Sequence, residues 1–232
     1  MNDKLNFLQR YNKDVRIIEG NDMVNYLPFI PDTSSNIFKE SNMEDRIRKT
    51  LELWKFSLAQ ELSLTISYME NNLITIELIT YDDKNAILYG INQENTNRII
   101  YYEGLLDIDF AENTILKNSW ERVPKSIACF YENIHNGFYY YPSHALGLVS
   151  LDEVTYFNNY EWSILDEIEA PININLEKTF GFFSSGGGGY VAVDLDNEEE
   201  NVAVIWYDDC EPDYNVNFWD VVDEWILIGF QS

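Results

Sequence analysis

Three stretches hold the residue types from which reactive or ligand-binding sites are built. The first, "FFSSGGGGYVAVDLDNEEENVAVIWYDD" over 182–209, sets Gly186 to Gly189 ahead of an alternating apolar run and a block of carboxylates. A Walker-type phosphate cradle ends in Gly-Lys-Ser/Thr, but Gly189 is followed by Tyr190, and no cation is nearer than Lys178. A dinucleotide loop passes from strand to helix, whereas a strand pattern follows these glycines. The run is therefore expected to be a sharp bend leading into a strand from Tyr190 to Leu195. Within the same stretch, "DLDNEEE" places Asp194, Asp196 and Glu198 where a calcium loop begins. Its sixth position is Glu199 instead of glycine, and its twelfth is Ile205 instead of glutamate. A hairpin turn with solvated charges is the simpler expectation.

The other two stretches contain the histidines and cysteines. His135 and His144 stand in "ENIHNGFYYYPSHALG", outside any HExxH pattern and beside no obvious nucleophile, as expected of structural or surface histidines. Cys129 lies on a helical apolar face and reads as core. Cys210 in "YDDCEPDY" is flanked by carboxylates, which raise a thiol's pKa and so oppose nucleophilic use. No catalytic residue, metal site or cofactor is read from these residues.

The charge is distributed unevenly. Of a net −25, residues 1–126 contribute 14 basic and 20 acidic side chains, while residues 127–232 contribute 20 acidic side chains and the single cation Lys178. Nucleic acid and anionic lipid need Lys and Arg to displace counterions, so neither is expected as a partner of the second half. A basic protein is the natural complement. With 46% hydrophobic and 15% aromatic residues there is ample core material, no apolar run reaches the length of a membrane span, and the N-terminus shows no signal-peptide pattern. Two cysteines far apart in sequence suit a reducing cytoplasm.

The periodicities supply the elements that would position these residues. Residues 1–40 read as a short helix followed by an irregular connection. Ser41 and Glu44 form a capping box ahead of a helix over about 42–60, with Ile47, Leu51, Trp54 and Leu58 at helical spacing. "LSLTISYM", "LITIELITY", "AILYGI" and "RIIYYE" read as strands of an antiparallel meander. The charge balance changes across 107–119, and a boundary is placed there: an N-terminal region over 1–111 and a second domain over 112–232. In the second region, Pro124 opens a helix whose face is Ile127, Phe130, Tyr131 and Ile134, with Gly137 as its stop. "NNYEWSILDEIEA" is expected to be a short helix and "KTFGFF", "YVAVDL" and "VAVIWY" to be strands. Asn217 caps a terminal amphipathic helix carrying Phe218, Val221, Val222 and Trp225. The fold class is α+β, helices packed on an antiparallel sheet.

The order of motifs in the second region resembles the SUKH superfamily, which includes bacterial immunity proteins and the yeast cell-wall-synthesis regulators. The matching residues are Val123-Pro124, Phe130-Tyr131, Asn136-Gly137 and Leu148 to Val154. They are followed by Gly186 to Gly189 before Tyr190, Val191, Val193 and Asp194, then by the closing helix around Phe218 and Trp225. The likeness spans about 112–232. Ile127 stands where an aromatic is usual, and residues 1–110 have no counterpart. The resemblance implies an α+β fold without a shared active site and a role in binding and neutralising a toxin, often a nuclease.

Together, charge and resemblance lead to an immunity protein that blocks a basic toxin sterically and electrostatically. The expected contact residues are Asp194, Asp196, Glu198, Glu199, Glu200, Asp208, Asp209, Glu211 and Asp213, with Tyr140 and Trp162 as aromatic anchors. The alternatives are a regulatory scaffold that binds several partners and, third, a carboxylate-based hydrolase.

Overall fold

Residues 2–94, 96, 98–168, 171–197, 199 and 201–232 are described by a computed structural model. The chain begins with α1 (Asn2–Leu8), β1 (Arg16–Ile18), α2 (Asn21–Tyr26) and α3 (Asp32–Phe38), then α4 (Met43–Leu58) and α5 (Ser63–Asn72). A meander follows, β2 (Leu73–Tyr81), β3 (Lys84–Asn92) and β4 (Ile99–Leu105), its first turn made by Asp82 and Asp83 at φ 47° and 62°. Next come α6 (Thr114–Ser119), α7 (Lys125–Asn133), β5 (Phe138–Tyr140), β6 (Ala145–Leu148) and β7 (Thr155–Tyr156). β8 (Thr179–Ser184), β9 (Gly189–Asp194), β10 (Val202–Tyr207), β11 (Asp213–Asn217) and α8 (Phe218–Gln231) complete the chain.

The strands form one 11-stranded antiparallel sheet in the order β1-β2-β3-β4-β5-β6-β8-β9-β10-β11, with β7 also paired to β8. The α+β expectation is met. The sheet continues across residues 107–119 through Tyr102↔Tyr140, Glu103↔Tyr139 and Gly104↔Phe138. One face is covered by α4, α5, α7 and α8 over a core that draws residues from both regions, from Trp54 and Tyr89 to Phe180 and Phe218. The other face is covered in two parts. The apolar side chains of α1 lie over β2 to β5, and those of residues 157–168 and 172–176 lie over β9 and β10 around Trp162, Ala192 and Trp206. Among the described residues, no helix is long and apolar enough to cross a membrane.

Most elements follow the expected periods, and the departures have local causes. The cap of α4 is Asn42, one residue after the expected Ser41; its side chain accepts the Asp45 N–H at 2.8 Å. Ion pairs such as Arg48–Asp45 and Arg48–Glu52 lie on the exposed side of α4, where solvent screening leaves them little weight in stability. What docks the helix is fully buried Trp54, a residue type whose truncation to alanine costs about 3–5 kcal/mol. In "NNYEWSILDEIEA", whose last two residues lie outside the described ones, the chain makes two 3₁₀ turns, Phe157–Asn159 and Ser163–Asp166, in place of the expected α-helix. Within the region 1–40, expected to hold one helix and an irregular connection, the chain makes several short helices and an edge strand.

"LSLTISYM" is helical, as α5, and not a strand. Leu62, Ile66 and Met69 recur on one buried side. The helix starts after Leu62, which has no side chain able to cap it. Its cap comes from α8: Asp223, 4% exposed, accepts the Leu64 and Thr65 N–H groups, each at 2.8 Å, one on each carboxylate oxygen. Asp223→Ala is expected to lower the unfolding free energy by about 1–2 kcal/mol, whereas Asp220→Ala in the exposed first turn of α8 changes it by less than about 0.5 kcal/mol. Urea denaturation of the two variants measures this difference.

Candidate functional site

The glycine run makes the turn between β8 and β9. Gly186 and Gly188 hold φ 76° and 84°, and a Cβ at Gly189 would lie 2.3 Å from the Tyr207 ring. The bend read from the sequence is therefore observed. In the same way β9 ends at Asp194 and β10 begins at Val202, so the carboxylate block falls between two paired strands.

The acidic residues singled out from the sequence do not form one patch. Register places Val202 at the Asp194 end of β9 and Tyr207 at the Gly189 end, so β10 divides them into two groups about 20 Å apart, at about 3.3 Å per residue. At the first end, Asp194 accepts the Asn175 and Asp196 N–H groups at 2.8 and 2.9 Å. Asp196 pairs with Arg122 at 2.7 Å and accepts from the Asn175 amide. The bonds from Arg122 and then Asn175 hold the Asp196 carboxyl below the ordinary carboxylate range. Lys178 also lies at this end, beside Leu195. Glu199 is exposed here, while Glu198 and Glu200 lie outside the described residues.

The opposite end carries Asp208, Asp209, Glu211 and Asp213 on the β10–β11 turn, and it gains carboxylates that the sequence reading missed. Asp208 accepts the Ser163 N–H and Oγ–H on its carboxylate, each at 3.1 Å, and its backbone carbonyl accepts the Ile164 N–H at 3.1 Å. This lock brings Glu161, Asp166 and Glu167, all exposed, alongside the turn. The single Lys of the second half lies at the far end of the sheet, so this pole is strongly anionic. Cys210 sits within it, exposed, its thiol pushed up chiefly by the hydrogen bond to Asp209.

Of the two aromatic anchors, Trp162 is a core residue, 5% exposed, donating its indole N–H to the Phe157 carbonyl at 3.0 Å and packing on Trp206. The surface role falls to its neighbour Tyr160, 53% exposed, whose ring lies 5.6 Å from that of Trp162. Tyr140 is half-buried against Tyr102 on the helix-covered face, several strands away from the pole.

A second cluster was not legible in sequence at all. Glu103, at the centre of β4, is fully buried on the face covered by α1. Its Oε2 accepts the Tyr81 hydroxyl at 2.8 Å, and its Oε1 lies 3.3 Å from His144 Nε2. Burial pushes the Glu103 carboxyl up to about 8, against an ordinary 4.5. On the opposite face of the same β4–β5 junction, Trp54 donates to the Tyr89 hydroxyl at 3.0 Å, and that hydroxyl lies 2.6 Å from His135 Nε2. His135 is fully enclosed, and burial holds it at about 3, so its ring stays neutral. Gly104 makes the room: a Cβ there would lie 2.2 Å from the His135 ring.

Two outcomes follow. Ser163→Ala with Asp208→Ala is expected to speed amide exchange in 161–167 at least tenfold, measured by hydrogen exchange with mass spectrometry, while leaving the helices unchanged. Stability should also depend on pH through the two buried groups. The raised Glu103 pKa contributes stability that is fully present below 4.5 and lost as pH rises to about 8. The depressed His135 pKa contributes stability present above 6.5 and lost as pH falls toward 3. The slopes cancel between 4.5 and 6.5, leaving that of Glu103 above. Unfolding free energy should fall by about 2 kcal/mol from pH 6.5 to 8, at about 1.4 kcal/mol per pH unit, and Glu103→Gln should abolish that fall in urea titrations.

Compared with known proteins, the chain matches no family model, no curated protein and no solved structure.

Proposed function

We propose that the chain is a cytoplasmic immunity protein that docks its carboxylate pole on the cationic surface of a cognate toxin and blocks it by occupation. The observation that carries this reading is the lock between Ser163 and Asp208, which gathers Glu161, Asp166 and Glu167 with Asp209, Glu211 and Asp213 at the end of the sheet remote from Lys178. A nuclease-type toxin must present Lys and Arg to bind a phosphate backbone, and a rigid anionic pole competes for that surface and is steered to it. Exposed Tyr160, backed by buried Trp162, offers a large ring held at low entropic cost, the type of residue that anchors interfaces. The resemblance of the motif order to that of the SUKH superfamily supports the same reading, from Val123-Pro124 ahead of α7 to the terminal helix α8.

The deciding experiment is co-expression with the product of the adjoining gene, scoring growth and co-purification. Rescue with a 1:1 complex is expected; a toxic product that is neither rescued nor bound removes the reading. Within the complex, reversing Asp166, Glu167, Asp209 and Glu211 to lysine should slow association roughly tenfold to a hundredfold at low salt and flatten its salt dependence. Reversal of Glu177 and Glu199 at the other end should have a much smaller effect. Tyr160→Ala should act on dissociation and weaken binding by about 1–2 kcal/mol, read by stopped-flow or surface-plasmon kinetics.

A further inference from the structure

The buried Glu103 has a use that docking does not require. Its Oε1 has no hydrogen-bond partner among the described residues, yet it lies 3.3 Å from the Nε2 of a partly exposed ring. That ring is His144, 41% exposed, carried on the tip of the turn between β5 and β6. The His144 backbone is left-handed, φ 51°, and Leu146 two residues on holds φ 53°. For a non-glycine residue that conformation carries a cost, which the surrounding contacts offset. For His144 those contacts are a stack on Tyr139 at 5.3 Å, a tilted contact with Tyr141 at 6.2 Å and the approach to Glu103.

The groups facing this pair come from every neighbouring element. Tyr81 donates from β2, Lys84 stands at the start of β3, and Tyr139 and Tyr141 belong to β5 and the turn. Tyr11 packs beyond Tyr141, and Asp152 and Glu153 follow β6. Lys84 is the one cation among them, already drawn toward Asp152 at 3.8 Å. A pair holding one proton is neutral, with the Glu103 O–H directed at the His144 Nε2 lone pair. Releasing that proton to solvent leaves a carboxylate inside an apolar and already anionic setting, where a charge is strongly disfavoured.

We propose that Glu103 and His144 form a proton-operated latch: one shared proton closes the Tyr141–His144 turn onto the sheet, and its loss lets the turn open to water. Burial raises the Glu103 carboxyl to about 8 and holds His144 below its ordinary 6.5, so the neutral closed form occupies the range between. Opening returns Glu103 toward its solvated pKa. The open fraction therefore rises with pH up to about 8 and then levels off.

The test uses the full chain labelled with ¹³C and ¹⁵N. Two amides report on the turn: Tyr141 donates to the Tyr101 carbonyl at 2.9 Å and His144 to the Tyr140 carbonyl at 3.0 Å. After correction for intrinsic rates, their exchange should accelerate by up to about tenfold per pH unit between pH 6.5 and 8 and level off above, faster throughout than amides at the centre of β3. The Glu103 carboxyl carbon should titrate with its midpoint near the same plateau. In Glu103→Gln the acceleration should vanish. The proposal is overturned if the turn amides exchange only at the rate of the β3 amides, if Glu103 titrates below pH 5, or if Glu103→Gln accelerates as the wild type does. Should that variant not fold, the wild-type carboxyl titration decides alone: a shared inflection with the turn amides supports the latch, and separate inflections discard it.

Discussion

Three residue pairs between β4 and β5 are the constraint on which the rest of the molecule depends. They fuse the meander of the first region to the strands of the second. On one face of the junction Trp54, Tyr89, His135 and Phe138 close the helical layer, and on the other Glu103 is sealed under Tyr139 and Tyr141. Gly104, with no side chain, is what allows His135 to lie against the sheet at this point. The two halves differ sharply in charge yet share one apolar layer, so the contrast in charge is a property of the surface and not of separate cores.

The carboxylate pole depends on that frame indirectly. β10 runs its length between two acidic turns, and the outer-face segment is strapped over it by Trp162, Ile164 and Ile174. The apolar contacts set the position of the segment. Asp208 then fixes which end of the sheet receives Glu161, Asp166 and Glu167, by capping the turn at Ser163. One of the carboxylates chosen as a contact residue thus acts first as scaffolding for the others.

Period and punctuation made much of the fold legible. The strands β2 to β4 and β8 to β10, the helix opened by Pro124, the glycine bend and the Asn217 cap all rest on interactions within a few residues of sequence. What could not be read depends on long-range partners. "LSLTISYM" is rich in strand-forming residues, and the carboxylate that makes it a helix lies 159 residues from Leu64. Glu103 in "RIIYYEGL" resembles any outward-facing strand residue until α1 and the turn between β5 and β6 close over that face. Tyr160 and Trp162 sit two residues apart and are equally plausible on the surface; only the ring cluster around Trp206 decides which is enclosed.

The main order of the sheet ends at β1, three residues long, and at β11, where Asn215 at φ 57° breaks the register opposite Val204. A short margin and a kinked margin offer poor templates for an additional strand. A chain with so many strands would otherwise be prone to stack edge to edge, above all when made in quantity. Both margins therefore disfavour lateral growth of the sheet by pairing with a strand of another molecule.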